Sequence, residues 1–462
     1  MKRLQLSLAM LGLLLFPFLL APVKTAAFSQ TGSTPGATAQ TPAGRQAEPP
    51  PPAASSSQEQ QKQPQVKSYT LTPEKYEKAV AFSRAHYRLY FIQFVYGLLV
   101  VLLVLRWKLA PRYRDWGEKV SSRRFLQAVI FAPIFLLTLD LLGLPIDLYS
   151  HWLSLKYDIS VQAWPSWFWD WTKGELISFV VGIFLLNFLY GVIRRSPRRW
   201  WFYFWLLTLP LVLFAVFIAP LVIDPLFNKF EPLEKTQPQL VLALEQMLHR
   251  AGVEIPPERM FLMKASEKTK ALNAYVTGFG SSKRMVVYDT TIAAMTLPET
   301  VFVLGHETGH YVLNHLYKGI AFTAVVLFIL FYLSYRGIGK LLARYGSGWG
   351  IRDLNDWASL PALVLLLSIV GFFVSPVANS FSRHTEHEAD IYGLEVTHGL
   401  TPNSSQVAAH SFQILGEVDL ADPNPGEFIK IWLYSHPPVA ERVRFALDYD
   451  PWSKGESPKF VK

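Results

Sequence analysis

The run His306-Glu307-Thr308-Gly309-His310 carries the clearest chemistry in the chain. Two histidines four apart lie on one helical face, a turn from each other, so both imidazoles can grip a single Zn2+ ion. Glu307 lies beside them and can take a proton from an activated water. Alone, such a pattern turns up by accident in roughly one or two of every hundred chains of this length, so it needs company. The stretch Arg383-His384-Thr385-Glu386-His387-Glu388-Ala389-Asp390 supplies it. Glu386 and Asp390 share a helical face. Glu386 can be the third metal ligand, and Asp390 can accept a hydrogen bond from a ligand histidine and so fix its tautomer. His384, His387 and Glu388 compete for the ligand place on composition, and a burst of charge where an apolar helix ends also describes a solvated collar. A third piece is Ser435-His436-Pro437-Pro438, followed by Arg442. A lone His-Pro turn is usually structural. Beside a zinc site, His436 could instead donate to a tetrahedral oxyanion, with Arg442 as a charged support.

Several elements must position these groups. Pro298 and Glu299 open the helix that carries the paired histidines, proline suiting a first turn and an acid suiting its positive end. Upstream, Leu240, Leu244, Met247, Leu248 and Ala251 follow helical spacing, and Gly252 is placed to end that helix. Strands are expected at 260–263, 274–277 and 285–288. The last two are joined by a Gly/Ser-rich turn, which suggests a hairpin.

Around this folded part the chain is apolar. Of its 462 residues 51% are hydrophobic and only 17% charged, against about 25% charged in a soluble domain. Six uncharged apolar runs, at 89–105, 125–139, 176–193, 200–223, 319–335 and 357–382, are each about long enough to cross a bilayer core of roughly 30 Å. Tryptophans crowd their ends, as at a membrane–water boundary. The net charge of +9 reads as membrane topology rather than nucleic-acid binding, because the basic residues flank apolar runs. Arg106, Lys108, Arg112, Arg114, Lys119, Arg123 and Arg124 follow the first run. Arg194, Arg195, Arg198 and Arg199 follow the third, and Arg336, Lys340, Arg344 and Arg352 the fifth. The long loop after the second run holds only Lys156 and Lys173. The positive-inside rule then puts the three basic loops in the cytoplasm and the metal motifs outside it, in an integral protein of, we expect, a bacterial inner membrane. With no cysteine, disulfides, thiolate ligands and a cysteine nucleophile are excluded.

The expected organisation is a signal peptide or signal anchor at 1–27, a disordered Pro/Gln/Ser-rich linker at 28–70 and four transmembrane helices within 71–223. A zinc peptidase segment at 224–318, two further transmembrane helices at 319–382, and a third-ligand helix with the rest of the peptidase part at 383–462 complete it.

The sequence resembles the integral-membrane zinc endopeptidases typified by the type I CAAX prenyl protease, a gluzincin family. Matching stretches run in order from about residue 88 to 450. They include Asp140-Leu141-Leu142-Gly143-Leu144-Pro145, Ala219-Pro220-Leu221 through Pro225-Leu226-Phe227-Asn228, Asn273-Ala274-Tyr275 with Gly278-Phe279, and Lys283-Arg284 with Asp289-Thr290. The paired-histidine motif, the Glu386/Ala389/Asp390 run and Ser435-His436-Pro437-Pro438 with Glu441-Arg442 follow. The resemblance implies a mainly α fold, a polytopic transmembrane helical barrel enclosing a chamber, with a zincin-like α+β peptidase domain carrying a small sheet. It implies one Zn2+ per chain on His306, His310 and Glu386, with Glu307 as general base and acid. Asp390 would support a ligand, Asn273, Ala274 and Tyr275 would bind substrate backbone, and His436 and Arg442 would sit near the reacting carbonyl. The water-filled interior would also house Asp140. The partners implied are a peptide or protein, prenylated or membrane-associated, and the lipid bilayer, with no nucleic acid. The alternative from another class is a non-catalytic membrane chamber that binds hydrophobic or lipidated peptides, its zinc purely structural and closed by four protein ligands.

Overall fold

A computed structural model describes residues 65–278 and 280–461; the expected signal segment and most of the expected linker lie outside them. Among the described residues six helices are long and apolar enough to cross a membrane. They are α1 (Pro73–Arg106), α3 (Arg124–Lys156), α4 (Trp164–Arg195), α5 (Trp200–Phe217), α8 (His315–Tyr345) and α9 (Leu360–Thr397). Between 28% and 39% of each apolar window is buried within the chain. The remaining apolar surface needs lipid, since water would not tolerate patches of that size. The inward faces make one continuous core, in which Phe131, Phe135, Tyr190, Trp200, Phe331 and Trp357 are fully buried.

The basic loops converge on one end of this bundle. Helix α2 (Leu109–Val120) carries Arg114, which pairs with Asp356 at 2.5 Å. Arg352 reaches Glu118 at 2.8 Å, and Arg194 donates to the Asn355 carbonyl at 3.3 Å. Loops one, three and five, expected on a common side from their charge, are thus tied to each other directly.

The peptidase part gathers at the opposite end. A four-stranded mixed sheet runs in the order β1 (Phe230–Pro232), β2 (Met260–Met263), β4 (Arg284–Tyr288), β3 (Ala274–Thr277). β2 and β4 pair in parallel, while the flanking pairs are antiparallel. The expected strands and hairpin are present, and β1 is an addition that three residues of sequence could not announce. Helix α6 (Pro238–Arg250) packs its apolar stripe, Leu240, Val241, Leu244, Met247 and Leu248, beneath the sheet. Next come α7 (Leu297–Val312), α10 (Ser404–Val418), α11 (Glu427–Leu433) and α12 (Val439–Asp448).

Two expected boundaries move. Residues 65–70, expected at the end of a disordered linker, instead dock on α10: Val66 N–H donates to the Gln406 side chain at 2.9 Å, Thr70 N–H to Gln413 at 3.1 Å, and Tyr69 is buried. Also, the division at 382/383 falls inside α9, which runs unbroken from membrane depth through Glu386 and Asp390.

Candidate metal centre

Helix α7 starts where its sequence says it should. Thr296 and Glu299 form a reciprocal capping box, with Glu299 accepting from the Thr296 N–H at 2.7 Å, and proline occupies the first turn. Glu299 is buried, and its other oxygen takes a short hydrogen bond from His410 on α10. The helix ends at Val312, and two residues on Asn314 takes a left-handed φ of 58° that suits asparagine. The chain then turns straight into α8 at His315.

Helix α7 crosses α9 closely enough to need glycine on both. A Cβ at Gly309 would lie 2.9 Å from the Tyr392 Cβ, and one at Gly393 would lie 3.1 Å from the His306 backbone nitrogen. This crossing brings His306 and His310 against Glu386. The two Nε2 atoms are 3.2 Å apart. His306 Nε2 is 3.4 Å from one Glu386 oxygen, and His310 Nε2 is 3.4 Å from the other. Among the described residues these three form the group able to hold a metal ion.

The donor set fits such an ion. Both Glu386 oxygens are buried without a hydrogen-bond partner, an arrangement that costs several kcal/mol unless a cation compensates it. Tetrahedral bonds of about 2.0–2.1 Å put ligand atoms about 3.3 Å apart, close to the separations seen here. Burial alone would depress the His306 pKa, but the Asp390 and Glu386 carboxylates beside it outweigh that and hold it up at about 9. The field at this point asks for positive charge. His310, dominated by burial, is held below its usual value and is a neutral imidazole, the form that ligates.

The far side of each histidine is anchored. His306 Nδ1 lies 2.9 Å from an Asp390 oxygen. Asp390 also receives a two-pronged grip from Arg442, at 2.6 and 2.9 Å, and the guanidinium lies 4.1 Å over the Phe412 ring. Much of Arg442's fork is therefore committed to Asp390, while Nη2 stands 4.0 Å from Glu386. His310 Nδ1 faces His315 Nδ1 at 3.0 Å, and His315 Nε2 lies 3.1 Å from Glu388. The sequence reading had no place for His315. Its only signal was a third histidine five residues past His310, and helical spacing would have put it on another face.

His436 Nε2 lies 3.4 Å from Glu386. Ser435 Oγ stands 3.0 Å from its Nδ1; a hydroxyl donated there leaves Nε2–H turned toward the site. Burial pushes the His436 pKa down to about 4, so the ring is neutral. The rival ligands go elsewhere. His384 is largely exposed, 3.9 Å from Glu388, and the His387 ring packs on Phe445 with centroids 4.5 Å apart.

A cavity of about 420 Å³ opens on this cluster. Glu307, Asn273, Ala274, His436 and Arg442 line it at the metal end. Tyr90, Phe94 and Gly97 of α1 and Ser368, Gly371 and Phe372 of α9 line it at membrane depth. Tyr275 is not on this wall: its ring packs with Met263 and Val286 on the other face of the sheet. Asp140 is buried in α3 and does not line this cavity. Strand β3 pairs with β4 on one side only, which makes it an edge of the sheet.

The comparisons with known proteins agree with this architecture. A family model for peptidase family M48 matches residues 234–450, and one for the CAAX prenyl protease N-terminal region, with its five membrane helices, matches 54–229. The chain is 35% identical to the uncharacterized metalloprotease YhfN of Bacillus subtilis, over 81% of this chain and 86% of that protein. It is 26% identical to CAAX prenyl protease 1 of Saccharomyces cerevisiae, over 84% and 89%. The crystal structure of S. mikatae Ste24p superposes with a TM-score of 0.70 at 24% identity, covering 82% of this chain and 90% of that one. With the paired-histidine helix at one end of a six-span bundle, the chain belongs to peptidase family M48, as an integral membrane metalloprotease of the CAAX prenyl protease kind.

Proposed function

We propose that the chain is a zinc-dependent endopeptidase that cleaves extended, membrane-associated peptides, lipidated ones included, at the site built by α7, α9 and the His436 turn. The observation that carries this reading is the convergence of His306, His310 and Glu386, whose ligand atoms lie within 4.8 Å of one another, at the end of a cavity that reaches membrane depth. A zinc ion held by these three residues would supply Lewis acidity, polarising the scissile carbonyl and acidifying a water molecule. Glu307, next to His306 on the cavity wall, takes the proton from that water and passes it to the leaving amine. His436, neutral with Nε2–H turned inward, donates to the carbonyl oxygen as charge builds there. Arg442 holds Asp390, and Asp390 holds the His306 ring with its Nε2 facing Glu386. The β3 edge at Asn273, Ala274 and the Tyr275 backbone offers main-chain hydrogen bonds to a peptide lying alongside, with little demand on its side chains.

The charge of the tied loops supports an extracytoplasmic site in a bacterial inner membrane, with 71–223 contributing membrane helices, 224–318 the sheet and the paired-histidine helix, and 319–462 the remaining membrane helices and the third ligand. The test is Glu307→Gln in detergent-purified protein with zinc added. Peptide hydrolysis should fall about 10²–10⁴-fold with zinc still bound. Full activity in that variant, insensitive to chelator, would refute the mechanism.

A further inference from the structure

The environment of His310 differs from that of His306 in a way the mechanism above does not use. His306 is backed by a carboxylate, whereas His310 is backed by a second imidazole, His315, which is itself backed by the Glu388 carboxylate. Lys318, one turn further along α8, lies 3.8 Å from the same Glu388. His315 is 5% exposed, and both of its ring nitrogens are accounted for by these two neighbours.

From this geometry we infer that His315 and Glu388 form a relay that sets the tautomer and orientation of His310; the inference rests on the zinc reading of the site. The proton bookkeeping has one consistent solution. With Nε2 of His310 turned to the metal position, its proton must sit on Nδ1. At 3.0 Å that N–H donates to His315 Nδ1, which must then be bare. The remaining His315 proton is on Nε2 and donates to Glu388, an acceptor when ionised. Every hydrogen bond in the chain points from the metal position toward the carboxylate, which increases the electron density that His310 offers at Nε2. The joint at Asn314 makes this possible. A continuous helix would place residue 315 about 140° around the axis from residue 310. The left-handed turn instead brings the first residue of α8 back against the motif. His315 and Glu388 are thus positioning residues, acting through His310.

The test uses the full-length protein in detergent and Zn2+ competition against a chromogenic chelator. His315→Leu removes the acceptor, and zinc affinity should drop about 10–100-fold. His315→Asn puts a carbonyl oxygen near the place of Nδ1 and should recover affinity to within about threefold of wild type. Glu388→Ala, which removes the carboxylate at the end of the relay and leaves His315 in place, should lose about 3–10-fold. The metal-free melting temperature should be nearly equal among the variants that fold. A Leu variant that binds zinc as tightly as wild type would overturn the relay, as would an Asn variant no better than Leu. Should Leu fail to fold, the decision passes to Glu388→Ala, and unchanged affinity there overturns it. Glu386→Ala separates the two levels: if it too binds zinc like wild type, the zinc site itself is misassigned.

Discussion

An alanine at Gly309, inside the metal motif yet adding only a methyl group, should disable the site. The new Cβ would lie 2.9 Å from Tyr392 Cβ and 3.0 Å from two of its ring carbons. Carbon atoms attract best at about 3.5–4.0 Å, so the helices must part locally by about 0.5–1 Å. Tyr392 is 2% exposed and its Cβ is fixed to the α9 backbone, so rotation cannot relieve the contact. The strain costs about 1–3 kcal/mol, and the gain from replacing a helical glycine returns about 1 kcal/mol. Net stability therefore changes by about 0–2 kcal/mol. The metal site is less forgiving. Ligand distances are held to within about 0.2 Å in working centres, and α9 carries Glu386 and Asp390 less than two turns before Tyr392. Zinc affinity should fall about 10–100-fold, read by chelator competition beside a thermal melt of the metal-free protein. Gly305→Ala is the control. Its Cβ would meet the Val396 and Thr397 methyl carbons at 3.0 and 3.3 Å, well beyond the ligand stretch of α9 and away from its backbone, so affinity should stay within about threefold. A Gly309→Ala protein with wild-type zinc affinity would refute the idea that this crossing sets the ligand geometry.

Other perturbations address the supports. Asp390→Asn keeps the shape but leaves Arg442 facing Glu386 without its own anion. Zinc affinity should fall about 10–100-fold and stability by about 3–5 kcal/mol. The added change Arg442→Met should restore stability by denaturation but not affinity; restored affinity would mean Asp390 does not act through His306. The Glu299–His410 clasp gives a pH signature. The Glu299 bond, against burial, raises the His410 pKa above 6.5, so its contribution is complete below 6.5 and is lost as pH climbs through the raised value. Burial would raise the Glu299 pKa, but the bonds to His410 and Thr296 lower it below 4.5, so its contribution is present above 4.5 and lost as pH falls through the lowered value. The melting advantage of wild type over Glu299→Gln should therefore peak between about pH 4.5 and 6.5; a flat difference from pH 4 to 9 would count against the clasp.

What could be read from the sequence was whatever a local period encodes. Paired histidines four apart, an acid four before Asp390, six uncharged runs and a Gly/Ser turn between two short strands each declare themselves within a few residues. What could not be read was produced by helices meeting. Gly309 and Gly393 look like ordinary helix weakeners until α7 and α9 are seen in contact. His315 looked off-register because its position depends on a left-handed turn at Asn314 rather than on helical spacing. The choice among His384, Glu386, His387 and Glu388 stayed open for the same reason: all four sit within about one turn, and only the direction from which α7 approaches separates them. The extent of the linker is not legible because Tyr69 and its neighbours are held by residues of α10 and of the turn after it, more than 300 positions away, which composition cannot foresee.

The unbroken path of α9 has a mechanical consequence. One helix carries Ser368, Gly371 and Phe372 at membrane depth and Glu386 and Asp390 at the metal position, and all but Asp390 line the same cavity. Near its far end, Glu395 accepts backbone N–H groups from Lys459, Phe460 and Val461, at 2.5, 2.7 and 2.9 Å. These bonds fasten the helix to the last described stretch of chain, whose Phe460 and Val461 pack on the core under the sheet. Tyr449, following α12, donates to the same carboxylate. A buried acceptor holding four donors is expensive to undo, so the ligand half of α9 cannot tilt independently of the peptidase core. The half at membrane depth is held differently, by the Phe372 ring stacked on Phe94 of α1 with centroids 3.7 Å apart, while Phe373 and Val377 on its outer side are exposed.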